Sequence, residues 1–262
     1  MNYAYMHKTD EKPSQDNFPM HSHDFYELYL FLKGDCEYIV EGISYPLAPN
    51  DLIFISNREM HKVQHNSPSF YERIVINISK DFFTEMHCEE YEKLFTEKRI
   101  GRNNKIDHRK VDAAQLSDAI LRLDKYSKEC SKNDMLPKCV IVEILHIMNN
   151  IDISTEEMTE SSLINGIIEY LNRNLTSPLS LREIADKFYI SKYHLCRIFK
   201  EATGLTVCSY INHKRIITVK GLCASGMTIS RACLEAGFGT YSAFYRAYIR
   251  EYNQKPKDEL LR

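Results

Sequence analysis

The spacing of apolar residues changes once along this chain of 262 residues, and the change limits the folds that it can adopt. Residues 21–78 contain short runs rich in Tyr, Ile, Leu and Phe, separated by turn signals such as Lys33-Gly34-Asp35 and Pro49-Asn50-Asp51. Short strands with turns about every ten residues are typical of a small barrel or sandwich. From about residue 107 the apolar residues recur at helical spacing instead. An N-terminal β domain followed by helices is therefore predicted.

Two amphipathic helices are predicted between residues 101 and 150. Their apolar residues recur at i, i+3, i+4 and i+7, which places them on one side of a helix. We interpret residues 1–100 as the β domain, 101–150 as a helical region that mediates dimerisation, 151–161 as a polar linker, and 162–262 as a C-terminal helical domain. The two apolar stripes are Leu116, Ala119, Ile120 and Leu123, then Val140, Ile144, Leu145 and Met148.

The net charge of −2 conceals two oppositely charged parts of the chain. Residues 161–262 carry 15 Lys and Arg against 8 Asp and Glu, a net charge of +7. Residues 1–160 carry 19 against 28, a net charge of −9. A basic C-terminal part indicates a polyanion as its partner.

Composition also excludes several classes of protein. No apolar run approaches the roughly 20 residues that cross a bilayer, and the N-terminus lacks the apolar core of a signal peptide. The eight cysteines include no CxxC pair, which disfavours a zinc ribbon or a thioredoxin-like redox site. A cytoplasmic protein with reduced thiols and no membrane partner is expected.

The stretch SKYHLCRIFKEATG, residues 191–204, predicts a helix with one apolar side and one side that carries an aromatic ring and cations. Ser180 and Glu183 form a capping-box pair that begins a shorter helix before it, and residues 188–190 form the turn between the two. This is the layout of a helix-turn-helix, whose second helix lies in the major groove. The predicted DNA contacts of this unit are Lys192, Tyr193, Cys196, Arg197 and Lys200.

A second helix-turn-helix repeats the pattern near the C-terminus. Residues 236–238 form its turn, and Thr240 can cap the helix that follows. Its predicted DNA contacts are Tyr241, Ser242, Tyr245 and Arg246. In the first helix-turn-helix, the Arg197 guanidinium suits a bidentate contact with guanine, and the Lys200 ammonium suits a contact with a phosphate.

These two units resemble the C-terminal domain of the AraC/XylS family of bacterial transcription regulators. The matching pieces are SLREIADKFYISKYHLCRIFKEATGLTVCSYINHKR and GFGTYSAFYRAYIREYNQKP, and the resemblance covers about residues 162–258. It implies an all-α domain of two helix-turn-helix subdomains joined by a long helix, roughly Thr206 to Ala224. The two recognition helices would enter successive major grooves about 34 Å apart. The implied partners are promoter double-stranded DNA, a second copy of the chain in a homodimer, and RNA polymerase.

The sequence departs from the family pattern at a few positions. Asn253 stands where the family favours Gly, Lys255 stands where Thr is usual, and Ile249 replaces a usual cation. Tyr189 occupies a turn position that is often Gly. Base contacts are therefore expected from the first helix-turn-helix, and phosphate contacts from the second helix-turn-helix.

The N-terminal stretch HSHDFYELYLFLKG carries His21, His23 and Glu27, and His61 follows later. Alternating strand positions would direct His21 and His23 to one face. Three histidines and a carboxylate can form a facial site for Zn²⁺, Ni²⁺, Mn²⁺ or Fe²⁺. The spacing also resembles the cupin motif pair, which implies a cupin-like β-barrel, the usual sensor of AraC/XylS regulators.

Two interpretations of these residues stay open. In the first, they bind a divalent transition metal that holds an effector or is itself the signal. In the second, no cofactor is required, and His21, His23, Glu27, Tyr38 and His61 form the polar wall of an effector pocket. The resemblance implies a carbohydrate as the effector class.

The sequence as a whole predicts an α+β protein with an N-terminal cupin-like β-barrel, flanking helices and the C-terminal all-α domain. The function that this predicts is a one-component, sequence-specific transcription regulator that senses a small molecule and is not an enzyme. A metal-dependent cupin enzyme with a helical appendage is the alternative, and it would leave the duplicated helix-turn-helix unexplained.

Overall fold

The computed structural model describes residues 2–130, 134–153 and 163–260. The chain divides into two compact units, Met1–Thr159 and Glu160–Arg262, which we call the first unit and the second unit. The predicted linker, residues 151–161, lies outside the described residues except for its first three positions. Within the described ranges, no helix is long and apolar enough to cross a membrane.

The first unit contains two antiparallel sheets, with strand orders β1-β7-β2-β5-β8 and β4-β3-β6. Strands β2 to β7 lie in the region where the sequence predicts strands. The strands are β1 (Tyr3–Asp10), β2 (Tyr26–Lys33), β3 (Cys36–Val40), β4 (Ile43–Pro46), β5 (Leu52–Ile55), β6 (His61–His65), β7 (Tyr71–Ile78) and β8 (Lys105–Ile106).

Strand β1 is not predicted from the sequence. Its residues pair with β7 along the whole strand, from Tyr3 opposite Ile78 to Asp10 opposite Tyr71. A partner that lies more than sixty positions away in the chain supplies all of these hydrogen bonds, so local spacing carries no signal for the strand.

The two sheets pack face to face around one apolar cluster. Tyr29 and Phe31 of β2 meet Tyr38 and Val40 of β3 in this cluster. The intervening residues of β2, such as Leu28, point to the opposite face of the larger sheet and pack there against helices. Strand β2 is therefore buried on both faces, and its sequence is apolar almost throughout.

Helices cover the outer face of the larger sheet. Both predicted stripes, on the helices that span 116–129 and 135–149, are buried in the same cluster as the outer residues of β2. Packing against the sheet puts residues 101–150 and the β domain into one compact unit. The helices are α1 (Lys80–Glu85), α2 (Lys93–Thr96), α3 (His108–Ala113), α4 (Leu116–Glu129) and α5 (Met135–Asn149).

The second unit is helical throughout its described residues. Helices α7 and α8 form one helix-turn-helix, α10 and α11 form the other, and α9 joins them as predicted. The helices are α6 (Leu163–Arg173), α7 (Leu181–Lys187), α8 (Lys192–Thr203), α9 (Val207–Ala224), α10 (Ile229–Glu235), α11 (Tyr241–Tyr252) and α12 (Pro256–Leu260).

Side-chain caps begin four helices of the second unit. Ser180 accepts a hydrogen bond from the backbone N–H of Glu183 and the Glu183 carboxylate accepts one in return, which completes the capping box. The side chains of Ser191, Thr206 and Thr240 each accept a hydrogen bond from a backbone N–H in the first turn of α8, α9 and α11. The predicted α+β class, with an N-terminal β domain and a C-terminal helical domain, is confirmed.

Candidate DNA-binding interface and sensor site

Helix α8 presents a basic and aromatic face to solvent. Lys192, Arg197 and Lys200 are exposed, and Tyr193 is 79% exposed. Cys196 is half-buried, because it lies at the margin between this face and the buried Leu195–Phe199 side. Four of the five predicted DNA contacts are therefore exposed to solvent.

Arg197 already has partners on its own helix. Its guanidinium donates to the carboxylate of Glu201 at 3.2 Å and contacts Nδ1 of His194 at 3.2 Å. An exposed i,i+4 ion pair contributes little free energy, so exchange of Glu201 for a nucleic-acid acceptor costs little. The pair also holds the guanidinium over the helix face.

Helix α11 presents a smaller exposed face. Ser242 and Arg246 are exposed, whereas Tyr241 and Tyr245 are half-buried. The Tyr241 ring lies 6.0 Å from that of Phe244, in the core of the second unit. The spacing of the sequence does not reveal this difference, because it depends on how Tyr241 packs against a buried cluster of residues from α9, α10 and α11.

Tyr189 is a residue of this surface that the sequence analysis did not assign to DNA. It lies in the turn before α8, is 96% exposed, and has a φ of 55°, a left-handed conformation that favours glycine. Its signal in the sequence is the presence of a bulky side chain where Gly is usual.

The residues predicted for the effector pocket meet at one end of strand β6, the first residue of which is His61. His21 forms an isolated antiparallel bridge with His61, through backbone hydrogen bonds of 3.0 and 2.9 Å. Ring centroids of His21 and His23 lie 4.4 and 4.9 Å from that of His61. One nitrogen from each of the three rings lies within 4.8 Å of the others, and we call these residues the histidine cluster.

The hydrogen bonds of His21 and His61 fix which nitrogen of these two rings is available. Nδ1 of His21 bonds the carbonyl of Pro19 at 3.0 Å, and Nδ1 of His61 bonds the carbonyl of Glu59 at 2.9 Å. Nε2 of His61 is buried and has no hydrogen-bond partner among the described residues. Donation from Nδ1 to a carbonyl leaves a lone pair on Nε2, as in histidines that bind metals.

Glu27 is linked to His23 rather than to all three histidines. Its Oε2 lies 3.0 Å from Nε2 of His23, and its Oε1 accepts a hydrogen bond of 2.7 Å from the Tyr38 hydroxyl. The Tyr38 ring stacks on that of His61 with centroids 6.0 Å apart. The five residues predicted for the effector pocket are therefore adjacent in the structure.

Burial and charge separate the pKa values of these groups. Burial lowers the pKa of His61 to about 4, with the positive charges of His21 and His23 acting in the same direction and Glu27 opposing them. Burial would raise the pKa of Glu27, but the hydrogen bond from His23 and the charges of His61 and His23 lower it to about 2. Burial also acts to lower the pKa of His23, and its bond and attraction to Glu27 reverse this into a raised pKa. His61 is thus neutral near pH 7, while Glu27 is ionised.

The other end of β6 carries polar groups that the sequence analysis did not single out. Nε2 of His65 is buried without a hydrogen-bond partner among the described residues, and its ring lies 4.6 Å from that of Tyr71. The Arg73 guanidinium lies 4.4 Å from the Tyr71 centroid. An HxH motif marks the histidine cluster in the sequence, whereas these residues come from separate strands.

A sheet domain that buries a group of polar side chains, Glu27 and His61 among them, and a pair of helix-turn-helix subdomains together define a ligand-responsive DNA-binding protein. Residues 6–121 match the family model described as the AraC-like ligand binding domain, and residues 184–261 match a helix-turn-helix domain. The chain belongs to the AraC family of transcription regulators.

Curated relatives span nearly the whole chain. The transcriptional activator RhaS of Klebsiella pneumoniae (strain 342) is 20% identical over 249 residues, which are 93% of this chain and 88% of RhaS. RhaS of Escherichia coli O81 (strain ED1a) is 23% identical over 250 residues, with the same coverage of 93% and 88%.

Solved structures with similar chains include ToxT from Vibrio cholerae, which is 16% identical over 100% of this chain and 98% of that one, with a TM-score of 0.41. The DNA-binding domain of AdpA, solved in complex with a target DNA, is 17% identical over 38% of this chain and 92% of that one, with a TM-score of 0.37.

Proposed function

We propose that this regulator activates transcription from promoter DNA, where it binds as a homodimer and contacts RNA polymerase in the cytoplasm. The observation that carries the DNA-binding part is the exposure of Lys192, Tyr193, Arg197 and Lys200 on α8. The description of the RhaS relatives as activators supports the direction of regulation.

The two recognition helices, α8 and α11, make different contacts with DNA. Arg197 reads a guanine through its two parallel N–H donors, and Lys192 and Lys200 bind phosphates. Ser242 and Arg246 of α11 bind phosphates in the next major groove. Tyr193 packs against a base edge or sugar beside Arg197.

Selection from a random duplex library with the full-length chain tests this proposal. Recovery of one preferred sequence, with binding that weakens steeply as salt rises, is the expected result. A reporter gene downstream of that sequence should respond to the regulator. Failure to enrich any sequence would overturn the DNA-binding function.

The effector site is proposed at the histidine cluster and at the neighbouring Tyr38 and Tyr29. Tyr38, Tyr29 and Glu27 supply hydroxyl and carboxylate groups beside aromatic faces. Such groups suit a ligand with several hydroxyls, and this supports a carbohydrate. The ligand must bind one arrangement of the regulator better than another if it is to change DNA binding.

A divalent transition metal at the same place is a second proposal, favoured by the unpartnered Nε2 of His61. The donor set fits Zn²⁺, Ni²⁺, Mn²⁺ or Fe²⁺, because His21 and His61 direct Nδ1 to backbone carbonyls and keep Nε2 available. His23 and Glu27 now share a hydrogen bond, and both would turn to the metal. A bound metal would supply a Lewis acid that holds chelating oxygens of an effector.

Elemental mass spectrometry of tag-free protein distinguishes a metal site from a metal-free effector pocket. About one metal per chain in the wild type, lost in a His21→Ala/His23→Ala variant, is expected if the metal proposal is right. His87→Ala removes an exposed histidine outside the cluster and serves as the control. Metal-free wild-type protein would overturn the metal proposal and leave the cluster as a polar pocket wall.

The metal-loaded protein also tests the enzyme alternative. Turnover of a sugar or an oxygen substrate that the His21→Ala/His23→Ala variant loses would support a metal-dependent cupin enzyme. The matched helix-turn-helix domain favours the regulator.

A further inference from the structure

Arg215, on the connecting helix α9, joins three separate parts of the second unit. Its Nε donates to the backbone carbonyl of Leu175 at 2.8 Å, and a terminal nitrogen donates to the carbonyl of Ser177 at 2.8 Å. Both carbonyls belong to the loop between α6 and α7, in the first helix-turn-helix subdomain. The guanidinium also lies 5.9 Å from the ring centroid of Phe238, in the turn of the second subdomain.

Gly237, in the same turn, brings the two subdomains into direct backbone contact. A Cβ at this position would lie 2.4 Å from the carbonyl oxygen of Leu175 and 2.9 Å from Cα of Thr176. Backbone atoms cannot move aside as a flexible side chain can, so only glycine fits. Its φ of +91° is also one that side chains rarely adopt.

Each part is fixed to its own subdomain. The loop is held by backbone hydrogen bonds from Asn174 to Leu171 and from Ser177 to Asn174, at 3.1 and 3.0 Å. The turn is held by a bond of 2.9 Å from Phe238 to Cys233. Helix α8 packs against α6, which precedes the loop, and the Phe238 ring lies 5.4 Å from that of Phe244 on α11. Contact between loop and turn therefore links the two recognition helices.

We propose that this junction of Arg215, Gly237 and the loop carbonyls fixes the separation of α8 and α11, and so fixes the spacing between the two DNA segments that the protein accepts. Arg215 and Gly237 are positioning residues: they act through α8 and α11. The planar guanidinium donates to two fixed carbonyls at once, which one lysine ammonium cannot reproduce in that geometry. A rigid pair of helices loses little further conformational freedom when it binds DNA. Once one recognition helix is bound, the other therefore binds its groove at a high effective concentration.

The first test uses Arg215→Lys in the full-length chain, which keeps the charge and removes the bidentate geometry. The probe is the duplex selected by the wild type, together with versions that carry one or two base pairs inserted between the two groove segments. The wild type should lose about 10-fold or more in affinity for each inserted duplex. Arg215→Lys should bind the parent duplex about 10-fold more weakly and lose less than about 3-fold on insertion. The salt dependence should be unchanged, since the phosphate contacts are the same.

A pair of glycine substitutions tests the junction from its other side. Gly237→Ala introduces the clash with the loop, and Gly226→Ala is the matched control. Gly226 has nearly the same φ, +93°, but a Cβ there meets nothing within 4 Å. Gly237→Ala should lose spacing selectivity as Arg215→Lys does, whereas Gly226→Ala should keep the wild-type profile.

The inference rests on the proposed DNA binding, and the outcomes separate the two. Folded Arg215→Lys protein with the wild-type spacing profile overturns the inference, and so does a wild type that tolerates insertions while it binds DNA well. Selection that yields no duplex at all overturns the proposed DNA binding, and the inference with it.

Discussion

Single polar residues in the two units have opposite surroundings, and this determines how each is used. Arg197 lies in water beside Glu201, where the ion pair is weak and easily exchanged. Glu27 is buried, and its carboxylate depends on His23 and Tyr38 for hydrogen bonds. Residues of the first kind can bind DNA without disturbance of the fold, whereas substitution of the second kind changes the site itself.

Arg197 and Lys200 should differ in what they contribute to DNA binding. Arg197→Ala should weaken binding to the selected duplex about 10- to 100-fold and relax the preference at one base pair. Lys200→Ala should weaken binding to all sequences equally and reduce the slope of log K against log salt by about 1. Equilibrium titrations on the selected duplex and on single-base variants of it, over a range of salt, measure both.

The control is Glu201→Gln, which removes the helix partner of Arg197 and leaves both cations in place. It should bind at least as tightly as the wild type. Equal losses of sequence preference in Arg197→Ala and Lys200→Ala would contradict the assignment of roles.

The left-handed backbone of Tyr189 should cost stability. Tyr189→Gly should raise the free energy of unfolding of the second unit by about 1 kcal/mol, because only the bulky side chain makes a φ of 55° unfavourable. Asn253→Gly is the matched control at a φ of 52°, where asparagine is already tolerated, and should change stability much less. Denaturant titration followed by circular dichroism measures both, and equal effects would contradict the explanation.

At the scale of elements, the ends of the helices in the second unit are set by their caps. Thr240 begins α11 and accepts a hydrogen bond from the backbone N–H of Ala243 at 3.1 Å. Thr228 begins α10, also with an extended backbone, but makes no cap hydrogen bond with its side chain. The two threonines therefore occupy equivalent cap positions and differ in the cap hydrogen bond.

This pair predicts unequal effects of the same substitution. Thr240→Ala should lower the free energy of unfolding by about 1 kcal/mol, because the α11 N–H loses its acceptor. Thr228→Ala should lower it by only a few tenths of that value. The measurement is denaturant unfolding of both variants in parallel, and a Thr228→Ala effect as large as that of Thr240→Ala would show that the cap bond is not the cause.

At the scale of the whole chain, the packing of α4 and α5 against the sheet limits the surface on which the proposed homodimer could form. The apolar stripes of α4 and α5 pack against the larger sheet, so only their outer sides are free to pair. Leu121 of α4 and Leu136 of α5 are 48% and 47% exposed on those sides. These two leucines are therefore our candidates for the apolar part of a contact between two copies of the chain.

The proposed homodimer should therefore depend on these two leucines. Leu121→Glu/Leu136→Glu should shift the protein from dimer to monomer in sedimentation velocity, because two carboxylates would be buried without partners. Leu234→Glu places the same charge on an exposed leucine of α10 and should leave the dimer intact. A double variant that remains dimeric would place the interface elsewhere.

Much of the molecule is predictable from local spacing. The apolar stripes of α4 and α5, the caps at Ser191 and Thr240, and the HxH motif all depend on neighbours within a few positions. Interactions of that range are formed by a helix turn or a strand pleat itself, so the sequence indicates them directly.

Other features were decided by contacts between distant parts of the chain. Strand β1 exists because β7 pairs with it, and the Nε2 of His61 became a buried lone pair because Glu59 and the sheets surround that ring. Gly237 appears in the sequence as one more turn residue, and only its approach to Leu175 gives it a role. The sequence by itself thus determined most of the elements, strand β1 excepted, and the chemistry that they carry. The tertiary structure decided which groups meet, because burial, pairing and close approach depend on residues that are far apart in the chain.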